Sequence, residues 1–449
     1  MRDLAVILIA SLLVACDGSG ETSGGGASGG AGATGGTASA GGSDLGGAGG
    51  TGGQGGQGAG YEPDPIPSVP DTVPELCADP DPPGYFQFLD DVCAAKRRPS
   101  HVDRDLACPS LDTSATVQLL DGEEVTYLPS SAPIVIEDRL VGLVPDELDV
   151  TVILIRRVGG VPHYRYLSNG SAEIAYQPWS TTKFLAAANA AARLRVASSY
   201  EVGLTASTGS YPLGDLVTSI HNYDYDPFSS NALGRYFHDI GGRARANGLI
   251  HEDWLGRPDT ETFGGNYGAP SPPLGYTFDD GGASVSITPD NTSGPANHLS
   301  SFTEAEALKR LVLHREEEDQ RLPGIQWADL RTLFYGAEGS TKYGDFGGMS
   351  ADTAIYLQTG HDIDYLEQRS HGRWRIFSKL GLGSGGQFLD VGYGCFPVLD
   401  PDDQPVPGWG RELVIAAHLP SGGSSWVERD RLLAQSYRAI VSRVIDGRL

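Results

Sequence analysis

Apolar and polar positions divide the chain into blocks with different periods. From Val150 to Ile155 every residue but Thr151 is apolar, Gly159-Gly160 supplies a turn, and His163 to Leu167 alternates as a returning strand. The alanine-rich run Phe184 to Arg195 has helical composition, and with Pro178 closing off what precedes it the helix is expected to begin at Ser180. Gly214 to Ile220 and Asn231 to Ile240 read as two further helices, the second stopped by Gly241-Gly242, and Thr303 to Arg315 as another. Between them, residues 256–298 are so rich in Gly, Pro, Asp, Asn and Ser that a long excursion of loops is expected. Trp374 to Lys379, Phe388 to Val398 and Glu412 to His418 read as strands. The chain closes on a helix with Leu433, Tyr437, Ile440, Val441 and Val444 on one face. Strands, a block of helices, three strands and a terminal helix imply an α+β fold. One antiparallel sheet is built from both chain ends, with flanking helices and an inserted all-helical lobe.

The first residues follow a different logic. Met1-Arg2 precedes an apolar run, Leu4 to Leu13, that is too short for a permanent membrane span and has the form of a secretory signal. Leu13-Val14-Ala15-Cys16 resembles the lipobox of bacterial lipoproteins, which implies a signal peptide over 1–15 and lipidation of Cys16. The protein is therefore expected to be exported and lipid-anchored to a bacterial membrane. Residues 16–74 pass from Gly, Ala, Ser and Thr to a Pro-rich piece, with no apolar surface to offset the entropy of ordering. They read as a disordered tether. Residues 75–145 read as a small cysteine-containing appendage, and 146–449 as the main body.

Charge and cysteine usage narrow the partners. A formal net charge of −25 argues against nucleic acid and against adhesion to anionic lipid. After Cys16, four cysteines remain: Cys77, Cys93, Cys108 and Cys395. An even number in an exported chain suggests two disulfides, and if both form, one must tie the 77–108 stretch to Cys395. Neither a Cys-x-x-Cys nor a His-x-x-x-His pair occurs, so no metal and no cofactor is implied, and a monomer is expected.

The candidate chemistry lies in three triplets. Ser180 and Lys183 are three apart, which on a helical turn puts hydroxyl and amine on one face at a positive dipole end. Ser229-Ser230-Asn231 leads into the helix that ends at Gly241-Gly242, and Lys379-Leu380-Gly381 sits on the first late strand. Lysine stands only at positions 96, 183, 309, 342 and 379, the chain otherwise using arginine, and two of these fall in the triplets. An arginine keeps its proton, whereas a buried lysine can give one up and act as a base.

Ser-x-x-Lys, Ser-x-Asn and Lys-x-Gly in this order resemble the signature of the penicillin-recognising serine hydrolases, the serine β-lactamases and D,D-peptidases. The resemblance spans roughly residues 148–446 and implies the β-lactamase/transpeptidase-like arrangement. It implies that Ser180 is the nucleophile, Lys183 its base, and Ser229 a relay toward the leaving nitrogen. It also implies that Asn231 binds the substrate amide, and that Lys379, Gly381 and Leu382 line the substrate, the Lys379 cation also helping to lower the pKa of Lys183. The backbone N–H groups of Ser180 and Leu382, just after Gly381, would form the oxyanion hole.

The substrate would be a β-lactam or a cell-wall stem peptide. The alternatives are a D-alanyl-D-alanine carboxypeptidase, or a non-catalytic lipoprotein of the same fold that binds peptidoglycan or a protein. Two departures stand out. Leu380 occupies the place of a hydroxyl that would face the substrate carboxylate. For the glutamate that activates water in class A β-lactamases, the chain offers only Glu261, followed by Asn266 one residue out of register, with Glu252 as a rival. Slow deacylation is expected.

Overall fold

Both ends of the main body contribute strands to one sheet in the computed structural model, which describes residues 97–105, 107–292, 294–422 and 426–449. The expected signal peptide, Cys16, the tether, Cys77, Cys93 and Lys96 lie outside the described residues. The sheet comprises β1 (Leu128–Pro129), β2 (Ile136–Glu137), β3 (Asp149–Val158), β4 (Val161–Ser168), β5 (Arg375–Gly383), β6 (Gln387–Phe396) and β7 (Arg411–Leu419). Its order is β5-β6-β7-β3-β4-β1. All neighbours are antiparallel except β2, which pairs with β4 in parallel. Both β1 and β2 come from the stretch read as an appendage.

The helices among the described residues are α1 (Lys183–Ala197), α2 (Leu213–Asn222), α3 (Ser230–Gly241), α4 (Arg243–Gly248), α5 (Ser301–Val312), α6 (Trp327–Tyr335), α7 (Ile363–Arg369) and α8 (Trp426–Ile445). The near-continuous apolar run of β3 follows from burial on both faces. Val150, Val152 and Leu154 join a core with Leu433, Tyr437, Ile440 and Val441 of α8. Ile153 and Ile155 face the other way, into a larger core with Phe184, Leu185, Leu216, Phe237 and Leu308 of the helical lobe. A disulfide joins Cys108 to Cys395 on β6, with a Cα separation of 5.7 Å.

The structure departs from the sequence pattern in three places. The helix expected from Ser180 begins at Lys183, because Trp179 has φ 50°, a conformation outside the helix, and residues 178–182 form successive turns instead. The excursion at 256–298 is not all loop. Thr277–Asp280 and Ala283–Ser286 form a hairpin that joins Ser207–Thr208 and Tyr211–Pro212 in a four-stranded sheet. Two helices, α6 and α7, lie in a region where no element was expected.

Candidate active site

The turn at 178–182 is squeezed between α1, α5 and the edge strand β5. Within it, Thr181 N–H donates to Pro178 O at 3.1 Å and Lys183 N–H to Ser180 O at 3.2 Å, so Ser180 sits on the bend and is only partly buried. Trp179, held at positive φ, donates from Nε1 to Gln387 Oε1 at 2.8 Å and packs against Gly383. A non-glycine residue in that backbone region is strained, and the strain is held by the indole's anchorage on β6.

Two glycines let the edge strand approach. A Cβ on Gly381 would meet Thr181 Cγ2 at 2.9 Å and Pro178 O at 3.2 Å, and one on Gly383 would meet Trp179 Nε1 at 2.1 Å. Small residues in a strand mark such close approaches. Side-on, β5 has one row of backbone groups paired with β6 and one row free of it. Leu380 N–H donates to Asp352 Oδ2 at 3.2 Å and Leu380 O accepts from Tyr223 OH at 2.6 Å, so this residue faces away from β6. By strand alternation Leu382 N–H lies on the same edge.

Lys183 is fully buried. Its Nζ donates to Asn231 Oδ1 at 2.6 Å and to Ser230 Oγ at 3.0 Å, and lies 5.1 Å from the centroid of the Tyr267 ring. The lysine stem crosses α3 at Gly234, where a Cβ would stand 3.0 Å from Cε. Ser229 takes a different place. It is the N-cap of α3, its Oγ accepting from Ala232 N at 3.2 Å, while Ser230 Oγ is fixed to Ile220 O at 2.9 Å. An N-cap oxygen uses a lone pair, which leaves the hydroxyl proton of Ser229 available to donate.

Lys379 is also fully buried. Its Nζ bonds Tyr223 OH and Leu380 O and lies 3.5 Å from Asp352 Oδ2. Burial brings its pKa down to about 8, with Asp352 working in the opposite direction. Leu380, which takes the place of a hydroxyl expected to face the substrate carboxylate, points into the core beneath α8, where it has no exposed surface.

The acidic candidates are placed as follows. Glu261 is buried and engaged. Ser300 Oγ donates to it at 3.0 Å and Arg257 Nε at 3.2 Å. Glu252 and Asn266 are exposed. What meets Lys183 from this region is Tyr267, whose hydroxyl lies 3.0 Å from Thr182 Oγ1 and 3.4 Å from His238 Nε2. Burial holds His238 down to about 3, a neutral imidazole at any working pH.

The structure thus brings Lys183 and Asn231 into contact and presses the Gly381 segment against the Ser180 turn. Sequence reasoning missed Trp179, Tyr223, Tyr267 and Asp352. Only the position of Trp179, next to Ser180, offered a signal.

No family model matches the chain, and no curated protein does. Among solved structures, similar ones include the class A β-lactamase of the last common ancestor of Gram-negative bacteria (GNCA4), 16% identical over 65% of this chain and 92% of that one, TM-score 0.39. The ancestral GNCA class A β-lactamase is 16% identical over 65% of this chain and 93% of that one, TM-score 0.39. L2 complexed with relebactam is 16% identical over 66% of this chain and 90% of that one, TM-score 0.40.

Proposed function

We propose that this chain is a serine hydrolase that works by acyl transfer on an amide bond of a β-lactam or a cell-wall peptide. The observation that carries the reading is the buried contact of Lys183 with Asn231 and Ser230, beside a turn that carries Ser180 against the β5 edge. In the first step Ser180 Oγ forms a bond to the amide carbon while its proton passes to Lys183. The tetrahedral intermediate then loses its nitrogen, which takes a proton through Ser229. The N–H groups of Ser180 and Leu382 stabilise the oxyanion, at about 3 kcal/mol per donor. The Lys379 ammonium pairs with a substrate carboxylate, and Asn231 binds the amide side chain.

Water must then attack the acyl-enzyme, and that step needs a base. The Glu261 carboxylate is held by Arg257 and Ser300, and an aromatic ring, Tyr267, packs against Lys183. These contacts favour an acyl-enzyme that forms readily and turns over slowly. A D-alanyl-D-alanine carboxypeptidase would use the same residues for its first step. In this reading the protein is exported and held at a bacterial membrane through a lipid on Cys16, as a monomer. Cys16→Ser should then abolish partition with membranes, and undiminished partition would refute the anchor.

The test is peptide mapping after incubation with a labelled penicillin. The label belongs on the peptide containing Ser180 and should be absent from Ser180→Ala. A folded wild type that takes up no label would favour a non-catalytic binding protein.

A further inference from the structure

Behind the Ser180 turn lies a buried carboxyl to which no part of the mechanism has given a task. Glu304, on the first turn of α5, has no exposed surface. Its Oε2 accepts from Tyr176 OH at 2.8 Å, and its Oε1 lies against Thr181 Oγ1. The same Thr181 Oγ1 is 2.5 Å from Pro178 O. Thr181 is the neighbour of Ser180, and these contacts join the turn to α5.

A count of protons decides the state of this group. Thr181 has one hydroxyl proton and faces two oxygens, Glu304 Oε1 and Pro178 O. If Glu304 is ionised, one of those contacts is acceptor against acceptor. If it is protonated, every contact has one donor. Tyr176 OH donates to Oε2, Oε1–H donates to Thr181 Oγ1, and Thr181 Oγ1–H donates to Pro178 O.

We infer that Glu304 is a positioning residue for Ser180. Protonated, it completes a hydrogen-bonded chain from Tyr176 through Thr181 to the Pro178 carbonyl and so fixes the turn that presents the nucleophile. This rests on the reading of Ser180 as nucleophile.

The surroundings agree. The titratable groups facing Glu304 are Tyr176 from the strand Ala175–Tyr176, Glu261 and Tyr267 from the 256–298 region, and Tyr437 from α8. All are neutral or negative, and the cation next to Glu261, Arg257, is shared between Glu261 and Glu173. Burial pushes Glu304 up to about 8, the charge of Glu261 adding to it, while the Thr181 and Tyr176 contacts pull the other way.

Two measurements on wild type, Glu304→Gln, Glu304→Ala and Thr181→Val test the inference. Glutamine reproduces the neutral acid, its NH₂ donating to Thr181 and its carbonyl accepting from Tyr176. The first readout is the acylation rate with a fluorescent penicillin from pH 6 to 10. The ratio of wild type to Glu304→Gln should be near one at low pH and fall about tenfold through pH 8, a ratio in which the titration of Lys379 cancels. Glu304→Ala and Thr181→Val should be slow, by roughly tenfold or more, at every pH.

The second readout is stability against pH, which needs no activity. The folded-state pKa lies above the unfolded value of 4.5, so the stabilisation is complete below 4.5 and lost as pH rises through about 8. Glu304→Gln should therefore be level with wild type below 4.5, gain on it by up to about tenfold in folding equilibrium per pH unit across that window, and keep the accumulated advantage above about 8. Parallel stability curves, or a rate ratio that does not move with pH, overturn the inference. A wild type that is never acylated removes the positioning role together with the functional reading, while the stability curves still decide whether Glu304 carries a proton.

Discussion

Lys183 Nζ donates to Asn231 Oδ1 at 2.6 Å, joining two residues 48 apart in sequence within a site that excludes water from the amine. A lysine so enclosed has its position set by α1 and α3 together. Lys183→Arg keeps a charge and a donor but cannot serve as a base. It should fold and lose acylation by about a hundredfold or more, measured with a fluorescent penicillin. Retention of more than a tenth of the wild-type rate would show that proton transfer does not run through Lys183.

Lys379 should give the site an alkaline limit. Its pKa is lowered to about 8 mainly by burial, so if its ammonium binds a substrate carboxylate as proposed, that binding is lost as pH rises through about 8. KM should rise across pH 8 for a carboxylate-bearing substrate and stay level for its methyl ester. The stability effect has the opposite sense. A base that holds its proton less tightly when folded destabilises the fold at low pH, and that penalty fades as pH rises from about 8 towards 10.5.

Leu380→Thr tests whether position 380 meets the substrate. The side chain is enclosed in the core beneath α8, so a threonine hydroxyl there would be buried with no hydrogen-bond partner provided for it. The expected result is a loss of about 1–3 kcal/mol in denaturant unfolding with no gain in acylation. Faster acylation at unchanged stability would mean that the strand presents this residue to the site.

Gly383→Ala probes the seat of Trp179. The added methyl would fall 2.1 Å from Nε1, so the indole must leave Gln387. Destabilisation of about 1–3 kcal/mol is expected. Because Trp179 precedes Ser180, acylation should slow at the same time. Loss of stability without slower acylation would separate the indole from the nucleophile's position.

A fourth substitution lies outside the site. Arg195 forms a two-pronged pair with Asp329, both contacts 2.9 Å and both side chains buried, and Asp329 also receives Leu204 N–H at 2.8 Å. Asp329→Ala leaves a buried guanidinium unpaired and should destabilise by about 3–5 kcal/mol, measured by denaturant unfolding.

Much of this architecture is legible in the chain. The run Val150 to Ile155 is apolar because β3 is covered on both faces, and the stripe Leu433, Tyr437, Ile440, Val441, Val444 is one face of α8. Ser229 marks its element because a helix start favours a capping hydroxyl, and Gly381 because the edge strand passes close to the Ser180 turn. The rest depends on distant approach. Nothing local tells that Tyr223 OH will reach Lys379, that Tyr267 will lie on Lys183, or that Glu304 will stand behind Thr181. The start of α1 depends on such an approach too. Alanine content sets where a helix can run, but the positive φ of Trp179, held by a bond to β6, sets where this one begins. The side of the strand on which Leu380 falls is set by register with β6 and by no property of the triplet itself.

The most direct test of the account is the intact mass of the wild-type protein followed in time after mixing with excess benzylpenicillin. The account predicts one added equivalent per chain, absent in Ser180→Ala, which persists after the free drug is removed and decays slowly. Glu261→Gln should leave that decay unchanged, since its carboxylate is held by Arg257 and Ser300. A wild type that hydrolyses the drug rapidly without accumulating the adduct, and loses that turnover in Glu261→Gln, would contradict it.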